Sequence, residues 1–142
     1  MVKVSDDGIY NEPMEKIWRF VMDENAPHNH AFIKSRKVVE QKGNTIITEN
    51  VLVNPDGKGT HSERWKLTLN PPKGYDMEYL TGPMAGSKMT QTYSALGGSK
   101  TKAQVVGEYK MLGMDDAGIR KSVLGFLETA FNEDTKNLKQ YK

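Results

Sequence analysis

Two side chains able to move protons, His61 and Glu63, lie just ahead of Trp65 in the chain. Trp65, Leu67 and Leu69 alternate with Arg64, Lys66 and Thr68. That period of two marks a strand with one face on a core. Carried backwards, the alternation puts Glu63 and His61 on the Trp65 face. The opposite parity would bury Arg64 and Lys66, which is far less favourable. Desolvation in an apolar pocket disfavours the charged form of a carboxylate and suits it to general acid or base work on a bound carbonyl compound. Glu63 is therefore a candidate catalytic residue, with His61 sharing the task. The same position also serves to anchor a polar group of a ligand, or to hold a purely structural pair.

Further polar handles fall on the same face of neighbouring strands: Tyr79, Gln91, Tyr93 and Tyr109. A tyrosine hydroxyl at the end of a large apolar ring suits an amphipathic ligand and equally satisfies a core hydrogen bond. Trp65, Met77, Met89 and Met111 would line the apolar volume from the sheet. Methionine adapts to irregular shapes and favours a tolerant pocket. No metal site is expected. His28 and His30 form an isolated His-x-His, a spacing that points two rings apart on a helix. The chain has no cysteine, which excludes disulfides, thiolate zinc sites and cysteine nucleophiles. No phosphate-cradling glycine motif or nucleophile elbow is present, and no cofactor is implied.

These residues need a scaffold. Residues 3–10 form a weak strand pattern, and Pro13 opens a short helix over residues 13–22 with Ile17 and Phe20 on its apolar face. Residues 23–33 read as irregular or as a second short helix. From Val38 the period changes to two, and strands follow one another to Met111, separated by turns rich in Gly, Pro and Asn. Residues 115–142 then read as one long amphipathic helix. Ile119, Val123, Phe126, Leu127, Ala130, Phe131 and Leu138 share a stripe, with aspartates at its start and lysines towards its end. A lone helix after an antiparallel meander belongs across the concave face of the sheet. Val123, Phe126, Leu127 and Phe131 would be one wall of a pocket there. Successive hairpins alternate ends, so loops 54–59 and 81–86 share the end at which the last helix begins. The pocket mouth is expected there.

Composition bounds the reading. The chain has 142 residues, 37% hydrophobic and 27% charged, with a formal net charge of +2. One domain spanning residues 1–142 is expected. Basic and acidic residues are interspersed, which argues against nucleic acid as a partner. The cluster Lys34-Ser35-Arg36-Lys37 reads as solvated surface. No stretch is apolar enough for stable membrane insertion, and no apolar signal core precedes the first strand, so a cytoplasmic setting is the default.

The element order, together with the stretch from Ile9 to Asp23 (Ile-Tyr-Asn-Glu-Pro-Met-Glu-Lys-Ile-Trp-Arg-Phe-Val-Met-Asp) and that from Ser35 to Gly43 (Ser-Arg-Lys-Val-Val-Glu-Gln-Lys-Gly), resembles the START/polyketide-cyclase-like (SRPBCC) superfamily. The resemblance covers nearly the whole chain. It implies an α+β helix-grip fold: a curved antiparallel sheet of about seven strands wrapped around a long C-terminal helix, with two short N-terminal helices. It also implies that loops 54–59 and 81–86 border the pocket. The superfamily includes lipid-transfer domains, polyketide cyclases, hormone receptors and chaperone activators, so fold alone does not select a function. The leading expectation is binding of a small hydrophobic or amphipathic ligand (lipid, isoprenoid or polyketide-like) between sheet and helix. The alternatives are an aromatase/cyclase- or dehydratase-type enzyme using Glu63, and a protein-interaction module. Both monomer and homodimer are compatible with the sequence.

Overall fold

The structure, a computed structural model, describes every residue except 24, 25, 27, 29, 55, 56 and 142. Seven strands and two helices follow in the order β1 (Val2–Tyr10), α1 (Met14–Met22), β2 (Ile33–Lys42), β3 (Thr45–Val53), β4 (Thr60–Asn70), β5 (Gly74–Tyr79), β6 (Lys88–Ala95), β7 (Thr101–Tyr109) and α2 (Asp116–Gln140). The strands make one antiparallel sheet in the order β1-β7-β6-β5-β4-β3-β2. Strands β2 to β7 form a continuous meander, and β1 closes onto β7. The second short helix expected in residues 23–33 falls partly outside the described residues, and those described there form bends and turns. The last strand stops at Tyr109, so Met111 follows the sheet instead of belonging to it. Among the described residues no helix is long and apolar enough to cross a membrane.

Local chemistry accounts for the elements. The carbonyl of Pro13 accepts from the amides of Lys16 and Ile17, which opens α1 and turns Ile17 and Phe20 into the core. Asp115 caps α2, its side chain accepting from the Gly118 amide at 2.8 Å. Register sets the inward face. Trp65 pairs with Tyr79, Met77 with Met89 and Tyr93 with Ala103, each pair sharing a face.

The core is divided. One cluster, including Trp65, Tyr79 and Tyr109, packs under Ile119 and Val123 at the start of α2. A second, including Tyr10, Ile17, Phe20 and Tyr93, packs around Leu138 near its end. The buried residues of α2 are Ile119, Val123, Asn137 and Leu138, with none between Val123 and Asn137. Between these two anchors Leu127 and Phe131 are only partly buried, so α2 covers the sheet less completely in its middle.

Candidate functional site

The space under that middle stretch is a hollow of about 400 Å³ between α2 and strands β1, β6 and β7. Val105, Ala103 and Gln91 line it from the sheet, Tyr10 from β1, and Leu127 and Phe131 from the helix. Phe131 stacks on Tyr10 with ring centroids 4.6 Å apart. It also lies over Gly8, where an added Cβ would sit 2.5 Å from the ring. Glycine at that position lets the ring reach the strand. Leu124, Ala130, Asp6, Asp7, Glu128 and Asp134 complete the lining.

A polar row runs beneath the helix. Gln91 accepts from the Tyr75 hydroxyl at 2.8 Å and donates to the Tyr93 hydroxyl at 3.0 Å. Burial pushes the phenols of Tyr10, Tyr75, Tyr79 and Tyr93 well above their ordinary range, and that of Tyr109 up to about 12. All five stay protonated near neutral pH and cannot act there as bases. The Tyr109 hydroxyl and the Asn50 side-chain oxygen are buried with no hydrogen-bond partner among the described residues.

His61 and Glu63 do face inward and meet each other. Asn54 Oδ1 lies 2.6 Å from His61 Nδ1, and Asn54 Nδ2 donates to the Lys58 carbonyl, which fixes the amide orientation. His61 Nδ1 must therefore carry its proton. His61 Nε2 then faces Glu63 Oε2 at 2.7 Å, and one further proton must lie between them, on either the ring or the carboxyl. Glu63 Oε1 accepts from Trp65 Nε1 at 3.0 Å. Gly82 covers the carboxylate, since a Cβ there would lie 2.8 Å from Glu63 Cγ.

This packing corrects the expected mouth. Loops 54–59 and 81–86 do lie at one end of the sheet, but none of their described residues is among those lining the hollow. They are engaged elsewhere: Asn54 holds His61, Gly82 covers Glu63, and the Leu112 amide donates to the Pro83 carbonyl. The hollow lies instead along β1 and the middle of α2.

The expected ligand residues divide accordingly. Gln91, Leu127 and Phe131 line the hollow. Trp65, Tyr79, Met89, Tyr109 and Val123 are buried in the first core cluster, with Met77 and Met111 against it. Tyr93 belongs to the second. Phe126 is 36% exposed and packs edge-on against Phe32 at 4.5 Å. It turns away from the hollow because the stripe of α2 is wider than the face the sheet covers.

Asp6, Tyr10 and Asp134 were not among the residues expected at the site. The alternation of Val2 and Val4, continued, reaches Asp6, Gly8 and Tyr10, which is the signal that identifies that wall. Arg36, expected on a solvated face, pairs with Asn50, which pairs with Glu63. It is exposed, yet on the inward side of the edge strand β2. A register shift between Ile33 and Ser35 makes that parity unreadable from the sequence.

His28 and His30 have separate partners: His28 Nε2 contacts the Asp23 carbonyl, whereas His30 bridges Glu133 at 2.9 Å and Asp134 at 3.2 Å. Among the described residues no group of three or more acidic or histidine side chains could hold a metal ion. Burial opposes charge on His30, but its hydrogen bonds to Asp134 and Glu133 and their charges outweigh this and raise its pKa. Burial likewise opposes charge on Glu133, but the Ala31 amide, His30 and Lys136 outweigh it and lower its pKa. The His30 contribution is complete below its ordinary value of 6.5 and is lost as pH rises through the raised folded value. The Glu133 contribution is complete above 4.5 and is lost as pH falls through the lowered one. Denaturant melts should therefore show His30→Gln costing about 2 kcal/mol near pH 5.5 and clearly less at pH 9. Equal losses at both pH values would show that the clasp does not depend on the imidazolium.

Solved structures share this architecture. A START superfamily protein from Mycobacterium smegmatis superposes with a TM-score of 0.79 at 15% identity, covering 99% of each chain. The START-like helix-grip fold is that of this chain. TTHA0849 from Thermus thermophilus superposes at 0.76 with 13% identity, covering 97% of each chain. The Zhui aromatase/cyclase from Streptomyces sp. R1128 gives 0.67 at 11% identity, covering 96% of this chain and 90% of that one. No protein-family model matches the sequence, and no curated protein is significantly similar to it. At such identities the START-like fold is shared while side chains are free to differ, so the site must be argued from its own residues.

Proposed function

We propose that this START-like chain binds a small apolar or amphipathic molecule in the hollow under α2. One observation carries the reading: α2 has no fully buried residue between Val123 and Asn137, and a hollow of about 400 Å³ lies beneath that stretch. That volume falls within the range of small-molecule sites, and a mostly apolar wall with a few polar groups is their usual character. The START superfamily protein and the aromatase/cyclase of the same fold add support. Burial of apolar surface would supply affinity, with Gln91 and Tyr10 orienting the polar end.

Mass spectrometry of small molecules extracted from the purified protein addresses occupancy directly. In a titration with Nile red, the wild type is expected to take up the dye. Ala130→Trp, which fills the hollow from the helix side, should weaken uptake by about 30-fold or more, with stability changed by about 1 kcal/mol. Uptake that is absent in the wild type, or unaltered by Ala130→Trp, would refute the reading.

A second reading rests on the shared proton between His61 and Glu63. A proton held between two groups within hydrogen-bond reach is the starting state for acid–base work. A substrate would have to reach this pair by a route other than the hollow, because neither residue lines it.

A further inference from the structure

Strands β1 and β2 are the two edges of the sheet, and α2 is tied towards both. On the β1 side Phe131 stacks on Tyr10, and Arg120 Nη2 donates to the Lys3 carbonyl at 3.2 Å. On the β2 side the tie is a strap, residues 30–32, that runs directly into Ile33 at the start of β2. Each residue of the strap contacts α2. His30 meets Glu133 at 2.9 Å and Asp134 at 3.2 Å. The Ala31 amide donates to the other oxygen of Glu133 at 2.9 Å, and Phe32 packs edge-on against Phe126. The foot of the strap is fixed to the sheet, since the Phe32 carbonyl accepts from the Val53 amide at 2.9 Å.

This clasp needs a proton. Nδ1 of His30 faces a carboxylate oxygen of Glu133, and Nε2 faces one of Asp134. Only the imidazolium has an N–H for both. A neutral ring donates to one carboxylate, turns a lone pair towards the other and loses the charge that strengthens both bonds. Other charged groups surround the clasp. Lys136 acts on Glu133 from the next turn of α2, and His28, Lys34 and Arg36 line the groove beside it. From the sheet Asp134 faces the phenols of Tyr10, Tyr75 and Tyr93, which stay neutral. The clasp also reaches the hollow. Asp134 is part of its lining, and the helix-side wall of Leu127, Ala130 and Phe131 lies between Phe126 and Asp134, the two ends of the strapped stretch.

We infer that residues 30–32 form a proton-operated latch on the hollow. With His30 protonated the strap holds the middle of α2 over the sheet. With His30 neutral that stretch yields, because a helical segment kept in place by tertiary contacts opens more readily once they weaken. A bound molecule then enters and leaves faster. Burial opposes charge on His30 and the two carboxylates outweigh it, so the latch is complete below 6.5 and is lost as pH rises through the raised value. Glu133, with its pKa lowered from 4.5, stays ionised throughout that range.

The inference rests on the proposed binding function, so one of its two measurements uses no ligand. Amide hydrogen exchange is followed in the wild type, with each rate divided by that of an unstructured peptide at the same pH. Protection over residues 126–134 is expected to fall about ten-fold between pH 5.5 and pH 9, relative to residues 119–123. In His30→Gln it should be low at both pH values, whereas His28→Gln should keep the wild-type pH dependence. The second measurement is stopped-flow release of Nile red, an uncharged dye. Release should quicken about ten-fold over the same range in the wild type and be fast at both pH values in His30→Gln. Protection that ignores pH, that keeps its pH dependence in His30→Gln or that loses it in His28→Gln overturns the latch. Dye release that ignores pH while protection changes overturns it too, leaving a clasp that gates nothing. If Nile red binds at no pH, the container fails and the gate falls with it, while the exchange data still show whether the clasp holds α2.

Discussion

Glu63→Ala is expected to lower stability by about 3 kcal/mol, roughly 10 °C in Tm. The carboxylate is 4% exposed and satisfies two groups at once, Trp65 Nε1 at 3.0 Å and His61 Nε2 at 2.7 Å. Truncation leaves the indole N–H without an acceptor in a buried place and adds a small void. Glu63→Gln should behave differently. Its amide oxygen can still accept from Trp65, and its amide nitrogen can donate to His61 Nε2, because Asn54 holds the proton on Nδ1. A loss within about 1 kcal/mol is expected for that variant. The pair of substitutions therefore separates architecture from proton chemistry. If the chain is an acid–base enzyme, Glu63→Gln abolishes turnover while the fold persists. Denaturant melts of the two variants test the structural part, and equal stabilities would show that the network is not the buried unit described above.

Gly8→Val is expected to cost about 3 kcal/mol and to weaken ligand uptake at least about ten-fold. The atoms a Cβ would meet belong to the Phe131 ring, at 2.5 and 2.7 Å. The ring cannot swing aside freely, because it stacks against Tyr10 on one side and forms part of the hollow on the other. Either β1 moves away from α2 or the ring moves into the hollow. Phe131→Ala in the same chain should recover a large part of the stability, because it removes the clash. A double-mutant cycle measures that coupling, and additive losses would show that the glycine does not set the position of the ring.

Much of the fold could be read from the sequence because its signals are local. Trp65, Leu67 and Leu69 against Arg64, Lys66 and Thr68 define both a strand and its inward face, and the same rule placed Glu63 and His61 inward. The helix from Asp115 was legible from its stripe and its cap. The site was less legible. Trp65, Tyr79, Met89 and Tyr109 are on the predicted face but fill the core, because face is a property of alternation and emptiness is not. Phe126 lies on the apolar stripe but pairs with Phe32 at the surface. The acidic wall was passed over because β1 carries few apolar residues, although Val2, Val4 and Tyr10 reveal its parity.

By itself the sequence determined the strand meander and its closing helix, the inward face of β4 and the proton-carrying pair, since each depends on residues within a few positions of one another. Tertiary structure decided where the sheet and α2 touch and where they part. That depends on small residues such as Gly8 and Ala103 meeting large ones such as Phe131 from the far end of the chain. A hollow is the difference between volumes contributed by distant segments, and no local pattern encodes a difference of that kind.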